Sequence, residues 1–189
     1  MSRLMLATEL VKRPVVTLAG EDVAQVKDLI YEQSGGSIGG FTLNGRGLLA
    51  GPLKTALGWE RVLSCGLDAV MVYDEGALVD REDVVARADV RERDVLGSRV
   101  LTDTGTDLGK VVDVVLEVGE VADVVGYEIA SNPAMGKDER KVLIPLPDTL
   151  AVSGEALMVP AEAVDFVCDD LAGFGAAVEA FRARLRGED

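Results

Sequence analysis

The chain has 189 residues, 48% hydrophobic and 28% charged, which is enough for one large domain or two small ones. It contains no histidine, so Ser-His-Asp and Cys-His catalysis and the usual imidazole metal ligand are excluded for this chain alone. Its net charge of −14 repels phosphate backbones and anionic membranes, so direct nucleic-acid binding is disfavoured.

From the N-terminus, Met1–Ala7 is too short for a signal-peptide core and is followed by the polar Thr8, Glu9 and Lys12. No apolar run approaches the roughly 20 residues of a membrane span, so the expected location is the cytoplasm. Val15–Leu18 reads as a short strand, Ala19–Asp22 as a turn and Val23–Tyr31 as a second strand. A Gly/Ser turn at Ser34–Ser37 leads to a third strand, Ile38–Leu43, and Asn44–Gly58 reads as a loop. Further strands are expected near Arg61–Ser64 and Ala69–Tyr73. The charged stretch 81–90 is a linker, either a short helical turn or an extended connection.

The second half runs through Arg99–Thr102, a turn at Asp103–Asp107, Gly109–Glu117, a turn at Gly119–Ala122, and Val124–Ala130. A loop at Ser131–Arg140 precedes strands at Lys141–Pro145 and Thr149–Ser153. Acidity is uneven: residues 1–88 carry 9 basic and 12 acidic side chains (net −3), and residues 89–189 carry 10 and 21 (net −11). Cys65 and Cys168 lie far apart with no C-x-x-C pair, so no zinc site is expected. They read as small buried hydrophobes.

Displacing the chain by 85 residues lays Val15–Glu32 over Val100–Glu117 with 7 identities in 18 positions: Val15/Val100, Thr17/Thr102, Gly20/Gly105, Asp22/Asp107, Val26/Val111, Asp28/Asp113 and Glu32/Glu117. With small gaps, Gly40–Leu43 falls over Gly126–Ile129. Arg61–Leu63 then falls over Lys141–Leu143, and Gly76–Val79 over Glu155–Met158. The expected architecture is therefore an internal duplication of a small closed barrel of short strands, whose closure would remove exposed edges. The pattern V-x-T-x-x-G-x-D-x-x-x-V-x-D, then G-F/Y-x-L/I, then a basic residue before V-L, resembles the PRC-barrel family in both copies. That resemblance implies an all-β fold of two tandem PRC-type barrels, residues 4–80 and 91–165, with binding to a protein partner and no enzymatic activity.

Asp103-Thr104-Gly105 spells the aspartic-peptidase triplet, and a pair of carboxylates could share a proton there. The matching Leu18-Ala19-Gly20 supplies no second carboxylate, and a turn explains the triplet equally well. No catalytic, cofactor or metal residue is therefore assigned. The repeated aspartates read as turn-holding groups.

Two partner surfaces are expected. At the C-terminal end (residues 166–187), Val164, Val167, Leu171, Phe174, Val178, Phe181 and Leu185 recur at alternating spacings of 3 and 4, the stripe of an amphipathic helix. This helix either packs on its own barrel or docks a partner or a second copy. Asp169 and Asp170 are placed to cap it, and Gly173 and Gly175 to weaken its middle. The second surface is a mildly basic, apolar loop with Arg46, Leu48, Leu49, Lys54 and Trp59. The leading function is a cytoplasmic adaptor or scaffold, self-associating or binding another protein. The runner-up is a ribosome-assembly or RNA-processing accessory factor that binds a basic ribosomal protein.

Overall fold

The computed structural model describes residues 2–32, 36–47, 49–86, 95–132, 140–147, 152–153 and 156–188. Leu48 and parts of the turn at Ser34–Ser37, the linker 81–90, the loop Ser131–Arg140 and the strand expected at Thr149–Ser153 lie outside them. The first elements are β1 (Arg3–Leu6), α1 (Ala7–Leu10), β2 (Pro14–Thr17), β3 (Asp22–Tyr31), β4 (Ile38–Asn44) and β5 (Pro52–Gly58). Then come β6 (Val62–Cys65), β7 (Val70–Val72), β8 (Val79–Asp80) and α2 (Arg81–Val85). The second half holds β9 (Arg99–Thr102), β10 (Asp107–Val118), β11 (Ala122–Ser131), β12 (Lys141–Pro145), β13 (Val152–Ser153), β14 (Ala156–Val159) and α3 (Phe174–Arg186).

Two compact units result. Unit 1 comprises Met1–Arg3, Ala7–Glu92 and Glu117–Asp123; unit 2 comprises Leu4–Leu6, Arg93–Leu116 and Val124–Asp189. The sheet of unit 1 has the order β6-β7-β2-β3-β4-β5-β8. That of unit 2 has the order β12-β11-β10-β9-β14-β13, with β1 added on β10. Each sheet curls into a half-barrel around apolar side chains: Val15, Val26, Phe41, Leu43 and Leu57 in unit 1, and Val100, Val111, Ile129, Ile144 and Leu157 in unit 2. Among the described residues no ladder joins β8 back to β6, so the barrel is curled and not closed.

The repeated motif has a direct physical basis. Thr17 is buried, and its Oγ1 accepts from Glu21 N at 3.1 Å while its N–H donates to Glu21 O at 2.8 Å. Thr102 is likewise buried and bonds Thr106 in the same two ways, each at 2.9 Å. Gly20 and Gly105 close the two turns at φ 84° and 86°, a left-handed conformation that only glycine adopts at little cost. Val15 and Val16 face Ala24 and Asp22 across a bulge, and Val100 and Leu101 face Gly109 and Asp107 across the matching bulge. The first aligned block is thus equivalent residue for residue.

Two later blocks are displaced. Val70 pairs in parallel with Val15, and Leu157 pairs in parallel with Val100. The counterpart of β14 is therefore β7, not Gly76–Val79. Gly40 faces Gly58, and Gly126 faces Pro145. The counterpart of β12 is therefore β5, not Arg61–Leu63. This strand occupies the second half of the segment expected to be the loop Asn44–Gly58. Its opening Gly51-Pro52 masks it, although a proline is tolerated at a strand's first residue, where no ladder N–H is needed.

Corrected in this way, the repeat extends past the strands. Ala56 of β5 pairs with Val79 of β8, and the equivalent Leu143 of β12 exchanges two backbone bonds with Cys168, at 2.7 and 3.0 Å. The chain then forms α2 in unit 1 and α3 in unit 2. Val84 of α2 clusters with Ile30 and Ala56; Phe174 and Val178 of α3 cluster with Val115, Val125 and Leu143. The C-terminal helix is therefore no unpaired addition: α2 is its short counterpart.

Gly40 and Gly126 permit the same close approach. A Cβ on Gly40 would lie 2.2 Å from Leu57 O, and one on Gly126 would lie 2.6 Å from Ile144 O and 2.4 Å from the Phe174 ring. Gly20, by contrast, has open space around it. Chemical denaturation should show Gly40→Ala and Gly126→Ala each losing about 2–4 kcal/mol, and Gly20→Ala only about 1–2 kcal/mol.

Candidate protein-binding surfaces

The recurring polar residues serve the backbone. Asp28 Oδ1 accepts from Leu29 N at 3.2 Å, and Asp113 Oδ1 accepts from Val114 N at 2.8 Å. Asp107 accepts from Gly109 N at 3.0 Å and pairs with Arg99 at 2.7 Å; Asp22 lies 3.8 Å from Arg46. The Arg99 hydrogen bond, helped by Gly109 N–H and opposed by partial desolvation, holds the Asp107 carboxyl below the usual range.

Asp103-Thr104-Gly105 forms the turn after β9. Asp103 N–H donates to Val159 O at 2.9 Å, and its Oδ1 accepts from Ala161 N at 3.0 Å, tying the turn to the segment after β14. The equivalent Leu18 N–H donates to Val72 O at 3.1 Å. The triplet thus joins two parallel strands in the manner of its counterpart. Among the described residues, no group of three or more Cys, Asp or Glu is placed to hold a metal.

The apolar stripe divides. Phe174, Val178 and Phe181 are buried in unit 2, Val167 and Leu171 are half-buried, and Val164 and Leu185 are exposed. Phe181 packs tilted against Phe166 at 5.6 Å, Arg184 lies 5.5 Å over the Phe166 ring, and Arg182 Nε donates to Leu146 O at 3.2 Å. The helix itself spans only Phe174–Arg186. Residues Ala161–Phe166 form a 3-10 helix, and Gly173 is the N-cap and not a mid-helix weak point. Asp170 bonds Ala172 N at 2.9 Å, so it caps the preceding turn and not the helix.

A family model of the PRC-barrel domain matches residues 3–80 and again 89–166, together more than half of the chain. The chain belongs to the PRC-barrel family. No curated protein matches it significantly. The tandem PRC barrels explain why matched residues sit in turns and core strands: they specify the domain twice.

The loop of the first PRC barrel is not one cluster. Leu49 is 99% exposed, and Arg46 and Lys54 are exposed as well. Leu48 lies outside the described residues. Trp59 sits at the far end of β5, seven strand residues on, or roughly 20 Å along the chain at the strand rise. There it packs on Phe41 at 5.8 Å, and its Nε1 donates to Glu120 O at 2.9 Å. Both thiols are pushed up, in each case first by burial, with Arg13 partly opposing this at Cys65 and Asp170 and Asp169 adding to it at Cys168.

Sequence reasoning missed the exposed apolar residues of the first barrel's β2/β6/β7 end. Leu18 is 61% and Tyr73 69% exposed, joined by a 3.3 Å bond from Leu18 N to Tyr73 O; Leu63 and Leu67 are exposed on the neighbouring hairpin. The available signal was the comparison of the copies, since Leu18 stands where the second barrel has Asp103.

Two outcomes follow from these contacts. Truncating the buried ring in Phe174→Ala should lower unfolding stability by about 3–5 kcal/mol in denaturant titration. Because the folded Asp107 carboxyl titrates below its unfolded value, its stabilisation is present above the ordinary carboxylate pKa and is lost as pH falls through the lowered one. Stability measured below about pH 4 should therefore fall less steeply in Asp107→Asn than in the native chain.

Proposed function

We propose that the chain is a non-catalytic, cytoplasmic protein-binding scaffold built on a duplicated PRC barrel. The observation that carries this reading is the division of labour between repeated and unrepeated residues. The repeated threonine, glycine and aspartate groups are engaged in turns and bulges. Exposed apolar side chains occur where the copies differ, at Leu18 and Tyr73. Such residues on an acidic, well-hydrated chain suit an interface with another protein better than a reaction centre. The charge of −14 favours a basic partner and fast, salt-sensitive association. No helix among the described residues is long and apolar enough to cross a membrane.

Self-association through the C-terminal stripe is a second form of the same reading. It would use Leu185 and Val164, since Phe174, Val178 and Phe181 face their own barrel. The test is affinity purification of the tagged full chain from its native host. A protein recovered in stoichiometric amount, and lost at high salt, supports the scaffold. An eluate holding only the tagged chain, monomeric by light scattering, counts against it.

A further inference from the structure

We propose that the flank of unit 1 beside α2 is a docking groove for a basic amphipathic helix of a protein partner. This deepens the scaffold reading and rests on it. The two units treat the same flank differently. In unit 2, α3 has 13 residues and lays Phe174 and Val178 over Val115, Val125 and Leu143. In unit 1, α2 has 5 residues and buries only Val84 over the equivalent Ile30 and Ala56, with Val85 and Val79 half-covered.

Beside α2 lies a cavity of about 430 Å³. Its floor is Ile30, Val79 and Val84, and its rim carries Glu32, Glu60 and Asp83. Arg61 also lines it, but its guanidinium points at Glu60 (3.9 Å) and Gly76 O (3.4 Å). Among the described lining residues three carboxylates stand against one guanidinium, a net negative rim. Glu32 and Asp83 are exposed.

The chemistry of the occupant follows from the shape. The outer edge of β5 is already paired with β8 at Thr55–Asp80 and Ala56–Val79, and β8 is only two residues long, so little ladder is offered there to an incoming strand. What the flank lacks among the described residues, relative to unit 2, is a helix with apolar side chains four residues apart, the spacing of Phe174 and Val178. The carboxylate rim selects lysine or arginine one turn away, and a long basic side chain lays its aliphatic stem on such a floor while its head meets the rim.

A fluorescent synthetic peptide with the sequence of residues 170–187 serves as probe, because it carries Phe174 and Val178 together with Arg182, Arg184 and Arg186. It is titrated into the isotope-labelled full chain at low and high salt. Amide shifts should concentrate at Gly39, Val79, Val84 and Ala86. The double variant Glu32→Lys/Asp83→Lys, whose sites are exposed and compatible with folding, should bind about tenfold more weakly. A scrambled peptide should not bind.

The groove is refuted by shifts at Val115, Val125 and Leu143 instead, which mean exchange with α3. Equal affinity of the double variant refutes it too, as does a native-chain nuclear Overhauser contact from Val84 to residues 87–94, which means that the chain fills its own groove. Concentration-dependent dimers lost in the double variant would assign the groove to a second copy and also overturn the proposal. If a partner co-purifies equally with native and double-variant chains, the groove falls and the scaffold stands. If the peptide maps to the groove but no partner co-purifies, the scaffold reading falls and the partner's helix falls with it, although the groove itself binds a basic helix.

Discussion

A sheet that curls without closing leaves a row of backbone N–H and C=O groups at its edge, and burying or exposing them unpaired is costly. Both units meet this constraint at the same strand. β5 is covered by β8, and β12 by the two bonds between Leu143 and Cys168. In each case the covering residue comes from the segment that leaves the sheet, and the chain then turns directly into a helix over the apolar residues behind that edge. The short 3-10 turns, the two-residue β8 and the helices, which look like irregular trimmings in chain order, are the edge cover of a half-barrel.

Much of this was legible in the residues. The turn with Thr17, Gly20 and Asp22 is specified locally: a buried hydroxyl closes it, a left-handed glycine completes it, and the following bulge sets the register of β3. Each of these has a residue-type requirement, so the duplication shows at the level of identity. The flank does not show in that way. Ala56 and Leu143, Val79 and Cys168, and Val84 and Phe174 are equivalent in place but share only apolar character, because edge cover asks for backbone bonds and volume and not for a particular side chain. Sequence alignment slid off these strands, and β5 vanished into a loop because Pro52 opens it. The stripe from Val164 to Leu185 was visible. Its meaning was not, because periodicity cannot say whether the face that receives it belongs to the same chain.

The candidate surfaces divide along the same line. Trp59 and Leu49 lie within one predicted loop but at opposite ends of a strand, so sequence proximity was a poor guide to a shared site. Leu18 and Tyr73, distant in sequence, are brought together because β2 and β7 run parallel. Duplication frees one copy to depart from the other. Unit 2 seals its flank with a 13-residue helix, and among the described residues unit 1 has a 5-residue one there.

The placement of Leu4–Leu6 in unit 2 bears on how the chain is made. β1 pairs with β10, and Leu4 and Leu6 pack in the cluster that holds Phe174 and Val178. During synthesis, at roughly 5–20 residues per second, these leucines are made before most of unit 1 and wait for a helix made after it. Unit 2 thus closes on contacts of very high sequence separation, which makes its assembly slow relative to unit 1. Until then Leu4, Leu6, Phe174 and Val178 are apolar surface without cover, and the net charge of −11 on residues 89–189 opposes association of such chains.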